Sequence, residues 1–128
     1  MVAHAKSERP NECCGVLAGT IDAERNIACV QKQYALVNEA ASPREYLSEP
    51  RSMFRAVKDM RGHGCEMLAI YHSHPASPAI PSRTDLERSY GPEVLNLIIS
   101  LQGTSPEVRG WWLVDDRYEE AAWEIVEE

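Results

Sequence analysis

The chain has 128 residues, of which 44% are hydrophobic and 26% charged, with a formal net charge of -7. That length suits one domain spanning residues 1–128 with its own core, and the composition excludes a disordered chain. The acidic balance argues against nucleic acid or an anionic membrane as partner, and no apolar run approaches the roughly 20 residues of a membrane helix.

The N-terminus lacks the apolar core of a secretory leader, so the cytoplasm is the expected location. Val2 to Glu8 can form a short helix, which must stop near Pro10 because the residue before a proline avoids the α region. CCGVLAGTI reads as a buried strand with small residues. Asp22 to Asn26 then turn the chain into a second strand through IACVQKQYALV. A polar loop, EAASPR, follows, with a brief strand expected over Glu45 to Leu47.

Ser48 has the chemistry of an N-cap, with Pro50 tolerated in the first turn of the helix it would start. Met53, Val57 and Met60 form the apolar stripe of that helix, and Gly62 and Gly64 end it. The continuous apolar run MLAIY is the pattern of a central strand covered on both faces. Thr84 to Tyr90 predicts another helix and VLNLIISL another buried strand. RGWWLV and YEEAAWEIV predict a hairpin turning at Asp115, Asp116 and Arg117. The elements together predict an α+β domain, a mixed and largely antiparallel β-sheet flanked by helices.

Cys13, Cys14, Cys29 and Cys65 contain no CxxC pair, so buried, reduced thiols are expected rather than a zinc knuckle or a disulfide. Cys13 and Cys14 must face opposite sides of their strand. Trp111 and Trp112 must likewise divide between core and surface. His4 and His63 have no ligand-like neighbours in sequence and are expected in solvent. Glu119, Glu120, Glu127 and Glu128 read as a solvated acidic face.

The stretch YHSHPASPAIPSRTD concentrates the chemistry. Residues i and i+2 of a strand face the same side, so His72 and His74 can bring two imidazoles to one point. A catalytic zinc ion usually takes three protein ligands and a water, so one further ligand is needed. Asp85 is the candidate, because Ser82 can cap a helix and the position three residues later lies in its first turn. Pro75, Pro78 and Pro81 stiffen the intervening loop and lower the entropy lost when Asp85 is fixed. An H-x-H pair or a capped helix start is commonplace by itself; the combination H-x-H-x(7)-S-x-x-D at the mouth of a buried strand points to a metal site.

This signature resembles that of the JAMM (MPN+) zinc metalloproteases, whose motif also includes an early Glu within a segment similar to NECCGVLAG. The resemblance covers nearly the whole chain. It implies an MPN/JAB fold with a three-layer arrangement like that of cytidine deaminases. It also implies that His72, His74 and Asp85 bind one zinc ion per chain, with a water as the fourth ligand. Glu12 would be the general base and then the general acid, and Ser82 would hold the carbonyl oxygen as it becomes an oxyanion. As a helix cap, Ser82 also accepts through that same hydroxyl, which meets both demands only if its proton stays free.

The implied reaction is metal-assisted hydrolysis of an amide. The chain has little room for the insertions with which larger relatives grip ubiquitin. It resembles the small prokaryotic members that trim the C-terminal tail of ubiquitin-like or sulfur-carrier proteins. Many relatives begin with a strand ahead of the first helix, and here Met1 falls inside that helix: either the start is assigned late or the domain lacks an edge strand, and the second alternative predicts an uncovered sheet edge. Two other functions compete. A non-catalytic MPN scaffold is disfavoured by the complete ligand set. A zinc deaminase is disfavoured because the P-C-x-x-C half of its pattern is missing.

Overall fold

The computed structural model describes residues 1–125. Its elements are α1 (Val2–Ser7), β1 (Cys14–Asp22), β2 (Ile27–Leu36), α2 (Pro50–Gly62), β3 (Glu66–His74), α3 (Arg83–Glu87), β4 (Leu95–Ser100), β5 (Glu107–Val114) and β6 (Arg117–Ala121). The strands form one six-stranded sheet in the order β2-β1-β3-β4-β5-β6. Every pairing is antiparallel except β3 with β4. Parallel neighbours cannot be joined by a tight turn. The connection from β3 to β4 therefore crosses a face of the sheet, carrying α3 with it.

Side-chain alternation divides the core into two layers. On one face Ala5 of α1 packs with Cys13, Leu17, Ala69, Tyr71, Leu97 and Ile99. On the other, Ala56 and Met60 of α2 pack with Cys14, Val16, Ala18 and Ile70, with Met53 and Val57 partly buried alongside. Ala79, Ile98, Trp111 and Leu113 extend the second layer, with Leu86 of α3 against them. The expected mixed sheet flanked by helices is thus observed, and MLAIY occupies the strand between β1 and β4.

Two glycines let β1 lie close to its neighbours. A Cβ on Gly15 would sit 2.1 Å from the ring of Tyr71, and one on Gly19 would sit 1.9 Å from the Cys29 carbonyl oxygen. The register of β1 shifts beside Ala18 against both neighbours, and it aligns Cys14 with His72. Glu12, two residues before Cys14, is thereby brought level with the carboxyl end of β3.

Several local expectations are corrected. Helix α2 is capped by Glu49, whose side chain accepts from the Ser52 N–H, and not by Ser48. Ser48 is held in an isolated bridge to Asn38, which also replaces the strand expected over Glu45 to Leu47. The helix expected over Thr84 to Tyr90 is shorter and earlier, ending at Glu87. Gly91, at φ 102°, lets the chain turn away toward β4. In the last hairpin the turn is Asp115 and Asp116, and Arg117 already belongs to β6. That strand stops at Ala121 instead of running through the YEEAAWEIV segment, whose Val126 lies, with Glu127 and Glu128, outside the described residues.

Cys29 is exposed, whereas Cys13, Cys14 and Cys65 are buried as expected. Trp111 is 5% exposed and Trp112 38%, the division their alternation requires. His4 is not solvated: its Nδ1 lies 2.7 Å from the Tyr71 hydroxyl, because α1 folds back onto the sheet. Burial is the largest influence on His4 and lowers its pKa, against the raising effect of Glu8. Glu119 and Glu120 are exposed, and Glu120 makes a bidentate pair with Arg109 at 2.9 Å for each bond.

Candidate metal centre

The carboxyl end of β3 places His72 and His74 on the α2 side of the sheet, both almost without exposure. Their Nε2 atoms lie 3.1 Å apart. Asp85 Oδ2 is 3.2 Å from His72 Nε2 and 3.1 Å from His74 Nε2. Three donor atoms thus form a nearly equilateral triangle. Ligands bonded tetrahedrally to zinc at about 2.0 to 2.1 Å lie about 3.3 Å from one another, so the triangle fits such an ion with little movement.

Asp85 is delivered by a capping box. The Ser82 N–H donates to Asp85 Oδ2 at 2.8 Å, and the Asp85 N–H donates to Ser82 Oγ at 3.1 Å. The Ser82 hydroxyl therefore serves the helix as an acceptor, and its own proton is used in no hydrogen bond among the described residues. Both demands on Ser82 are compatible.

His74 Nδ1 lies 2.8 Å from the Pro78 carbonyl. A carbonyl can only accept, so Nδ1 carries a proton and Nε2 is the nitrogen left to face the centre: it donates to Asp85 when the ring is protonated and keeps its lone pair for a metal when the ring is neutral. Burial raises the carboxyl pKa of Asp85, but the charge of His72 and the hydrogen bonds of His72, His74 and the Ser82 N–H outweigh it and hold the group far below the usual carboxylate range. For His74, burial is the largest single influence and lowers the pKa; Asp85, Pro78 and Glu12 outweigh it and leave a net rise.

Glu12 adds a second carboxylate to the cluster. Its carboxylate can join the two imidazoles, with ligand atoms of the three residues within 4.8 Å of one another. Two triads therefore share the histidine pair, one closed by Asp85 and one by Glu12. Asp85 is nearer and remains ionised. Glu12 Oε1 is buried without a hydrogen-bond partner among the described residues, and burial pushes the carboxyl pKa up to about 8. An ionised, doubly contacted carboxylate suits a ligand, whereas one that titrates near neutral pH suits proton transfer.

The backbone around Glu12 is clamped. Its N–H donates to the Ser42 carbonyl at 2.8 Å, its carbonyl accepts from Asn38 Nδ2 at 3.0 Å, and the Cys13 N–H donates to Ser73 Oγ at 2.8 Å. Ser73, between the two histidines, thus faces away from the centre and ties β3 to the Glu12 segment. Of the remaining histidines, His63 is exposed and His4 lies on the opposite face. Sequence reasoning missed Asn38, Tyr46 and the Pro78 carbonyl. A side chain such as Asn38 after a strand signals a turn; nothing local signals that Tyr46 meets His72.

Fold and site together define a mixed-sheet α+β domain with a buried His–His–carboxylate centre that could hold a metal ion. The family of prokaryotic homologs of the JAB domain matches residues 1–114, and the chain belongs to it. A CysO-cysteine peptidase from Mycobacterium bovis is 31% identical over 129 residues, covering 100% of this chain and 86% of that protein. A desampylase from Haloferax volcanii is 37% identical over 100 residues, covering 77% of this chain and 69% of its own. The solution structure of protein DSY2949 from Desulfitobacterium hafniense is 39% identical and superposes with a TM-score of 0.89, over 100% of this chain and 87% of that one.

Proposed function

We propose that this chain is a zinc-dependent peptidase or isopeptidase, one catalytic domain that hydrolyses an amide bond at the C-terminal tail of a ubiquitin-like or sulfur-carrier protein. The observation that carries the reading is the 3.1 to 3.2 Å triangle of His72, His74 and Asp85 with the partnerless Glu12 carboxylate beside it. His72, His74 and Asp85 hold one zinc ion. When bound, the ion supplies Lewis acidity toward the scissile carbonyl and toward the attacking water. Glu12 takes the proton of that water and passes it to the leaving amine. The unused Ser82 hydroxyl proton donates to the carbonyl oxygen as negative charge develops there.

The relatives named for CysO-cysteine and for desampylation support the substrate class. A cytoplasmic setting agrees with the buried thiols of Cys13, Cys14 and Cys65, which persist reduced there. The test uses zinc-loaded protein and a sulfur-carrier protein extended by one residue beyond its Gly-Gly tail, read by mass spectrometry. Release of the added residue by the wild type, and its loss in a Glu12→Gln variant that retains zinc, is the expected result. Undiminished cleavage by that variant would remove Glu12 from its role. A loaded wild type that cleaves neither this nor an isopeptide-linked conjugate would overturn the reaction.

A further inference from the structure

We infer that Tyr46 is a positioning residue for His72, and that Asn38 holds the loop that delivers it. The inference rests on the metal centre proposed above. The two histidines reach one point with different support. The ring and tautomer of His74 are set by the hydrogen bond from Nδ1 to the Pro78 carbonyl, 2.8 Å away. His72 Nδ1 is buried with no partner among the described residues. A ligating histidine almost always uses its second nitrogen to fix its orientation, so His72 needs another restraint.

Tyr46 supplies a plane. Its ring is stacked on that of His72, with centroids 4.6 Å apart and planes inclined at 28°. The χ2 torsion of histidine is broad when nothing restrains it. A parallel aromatic neighbour at contact distance blocks the rotation that would swing Nε2 away from His74 and Asp85. Stacking thus restrains the ring of His72 as a hydrogen bond restrains that of His74, without setting its tautomer.

Tyr46 lies in neither a helix nor a strand, so its position depends on what ties down the loop. Asn38 Nδ2 donates to the Glu12 and Glu45 carbonyls at 3.0 and 3.2 Å, and Oδ1 accepts from the Ala40 and Leu47 N–H groups at 3.0 and 2.9 Å. An amide has two N–H donors and two carbonyl lone pairs, so its capacity is fully used. Glu45 and Leu47 flank Tyr46, and Glu12 carries the buried carboxylate. One side chain thereby places the plane over His72 and holds the backbone of Glu12. No other amide of the chain has this set of four partners among the described residues.

The experiment measures metal binding by the full chain, independent of turnover. Zinc affinity is read by competition with a chromophoric chelator, and ligand geometry by the visible absorption of the cobalt(II) form. Tyr46→Leu, which keeps an apolar side chain but no plane, is expected to weaken zinc binding by about 10-fold or more and to shift the cobalt bands. Tyr46→Phe is expected to restore both, which a role for the hydroxyl would not allow. Wild-type affinity and an unchanged cobalt spectrum in Tyr46→Leu would overturn the inference. Should that variant not fold, Asn38→Ala reads the same point: reduced zinc affinity supports it, and wild-type affinity overturns it. A wild type that binds no metal defeats this inference together with the centre. A wild type that binds zinc yet cleaves no carrier defeats the proposed reaction alone.

Discussion

Two histidine–carboxylate clusters, one at the end of α2 and one at the end of β3, are built from the same kinds of side chain. At the end of α2, His63 Nδ1 is 3.5 Å from Asp59 Oδ2, and Lys32 Nζ also lies 3.5 Å from that oxygen; the His63 and Asp59 side chains are 53% and 47% exposed. At the end of β3, His72 and Asp85 are 3.2 Å apart with side chains 1% and 6% exposed. Proximity is similar and the consequences differ. The exposed cluster is open to water and its members already have partners in the Tyr34 hydroxyl and the Asp59 carbonyl, so its pairing adds little and demands nothing further. Burial removes water from the other cluster and leaves convergent lone pairs and a partnerless Glu12 oxygen, a set that a cation would satisfy. Concavity is a poor guide here: a depression of about 360 Å³ lies beside the exposed cluster, lined by Arg55, Lys58, Asp59, Gly62 and His63.

The contrast can be broken most severely at the buried cluster. His74→Ala should abolish zinc binding, measured as metal per chain by elemental analysis, and hydrolysis with it; a fully loaded variant would show that the triangle is not the ligand set. Glu12→Gln should retain zinc and lose about 10²- to 10⁴-fold in kcat, the usual contribution of a general acid–base group. Ser82→Ala should keep the metal and lose about 10²- to 10³-fold in kcat if its proton meets the oxyanion. The same change removes a cap and should lower stability by about 1 kcal/mol, which chemical denaturation would detect.

A pH series on metal-free protein separates the two carboxylates of the buried cluster. The Glu12 carboxyl titrates at about 8 when folded against an ordinary value of 4.5, so the folded state holds its proton more tightly. The stability this brings is fully present below about pH 4.5 and is lost as pH rises through 8. Asp85, depressed, acts oppositely, and its contribution is lost in acid as the folded group protonates. Metal-free Glu12→Gln should therefore melt higher than the wild type above pH 8, and a lower melting temperature there would contradict the buried carboxylate. The smallest effect belongs to the exposed cluster. His63→Ala should change unfolding free energy by less than about 0.5 kcal/mol and leave zinc content untouched.

Local order carries a large part of this protein's chemistry. The two-residue repeat of a strand puts His72 and His74 on one side, and the first turn of a capped helix brings Asp85 back to its Ser82. Both depend on spacings of two or three residues, over which chain geometry alone fixes direction. Helix and strand order followed from the same short-range periodicities. Glu12 became legible only through the resemblance of its segment to a family motif, because a lone glutamate ahead of a strand has no local mark of function.

Tertiary structure decided the rest. The pairing of Cys14 with His72 carried Glu12 across sixty residues of sequence to the histidine pair, and burial there raised its pKa. The bridge of Asn38 to Ser48 took Ser48 from the helix cap that its chemistry suggested. Folding of α1 onto the sheet drew His4 from solvent to Tyr71. Each outcome depends on which distant groups exclude water and fill hydrogen bonds at a given point, and residue spacing along the chain does not encode that.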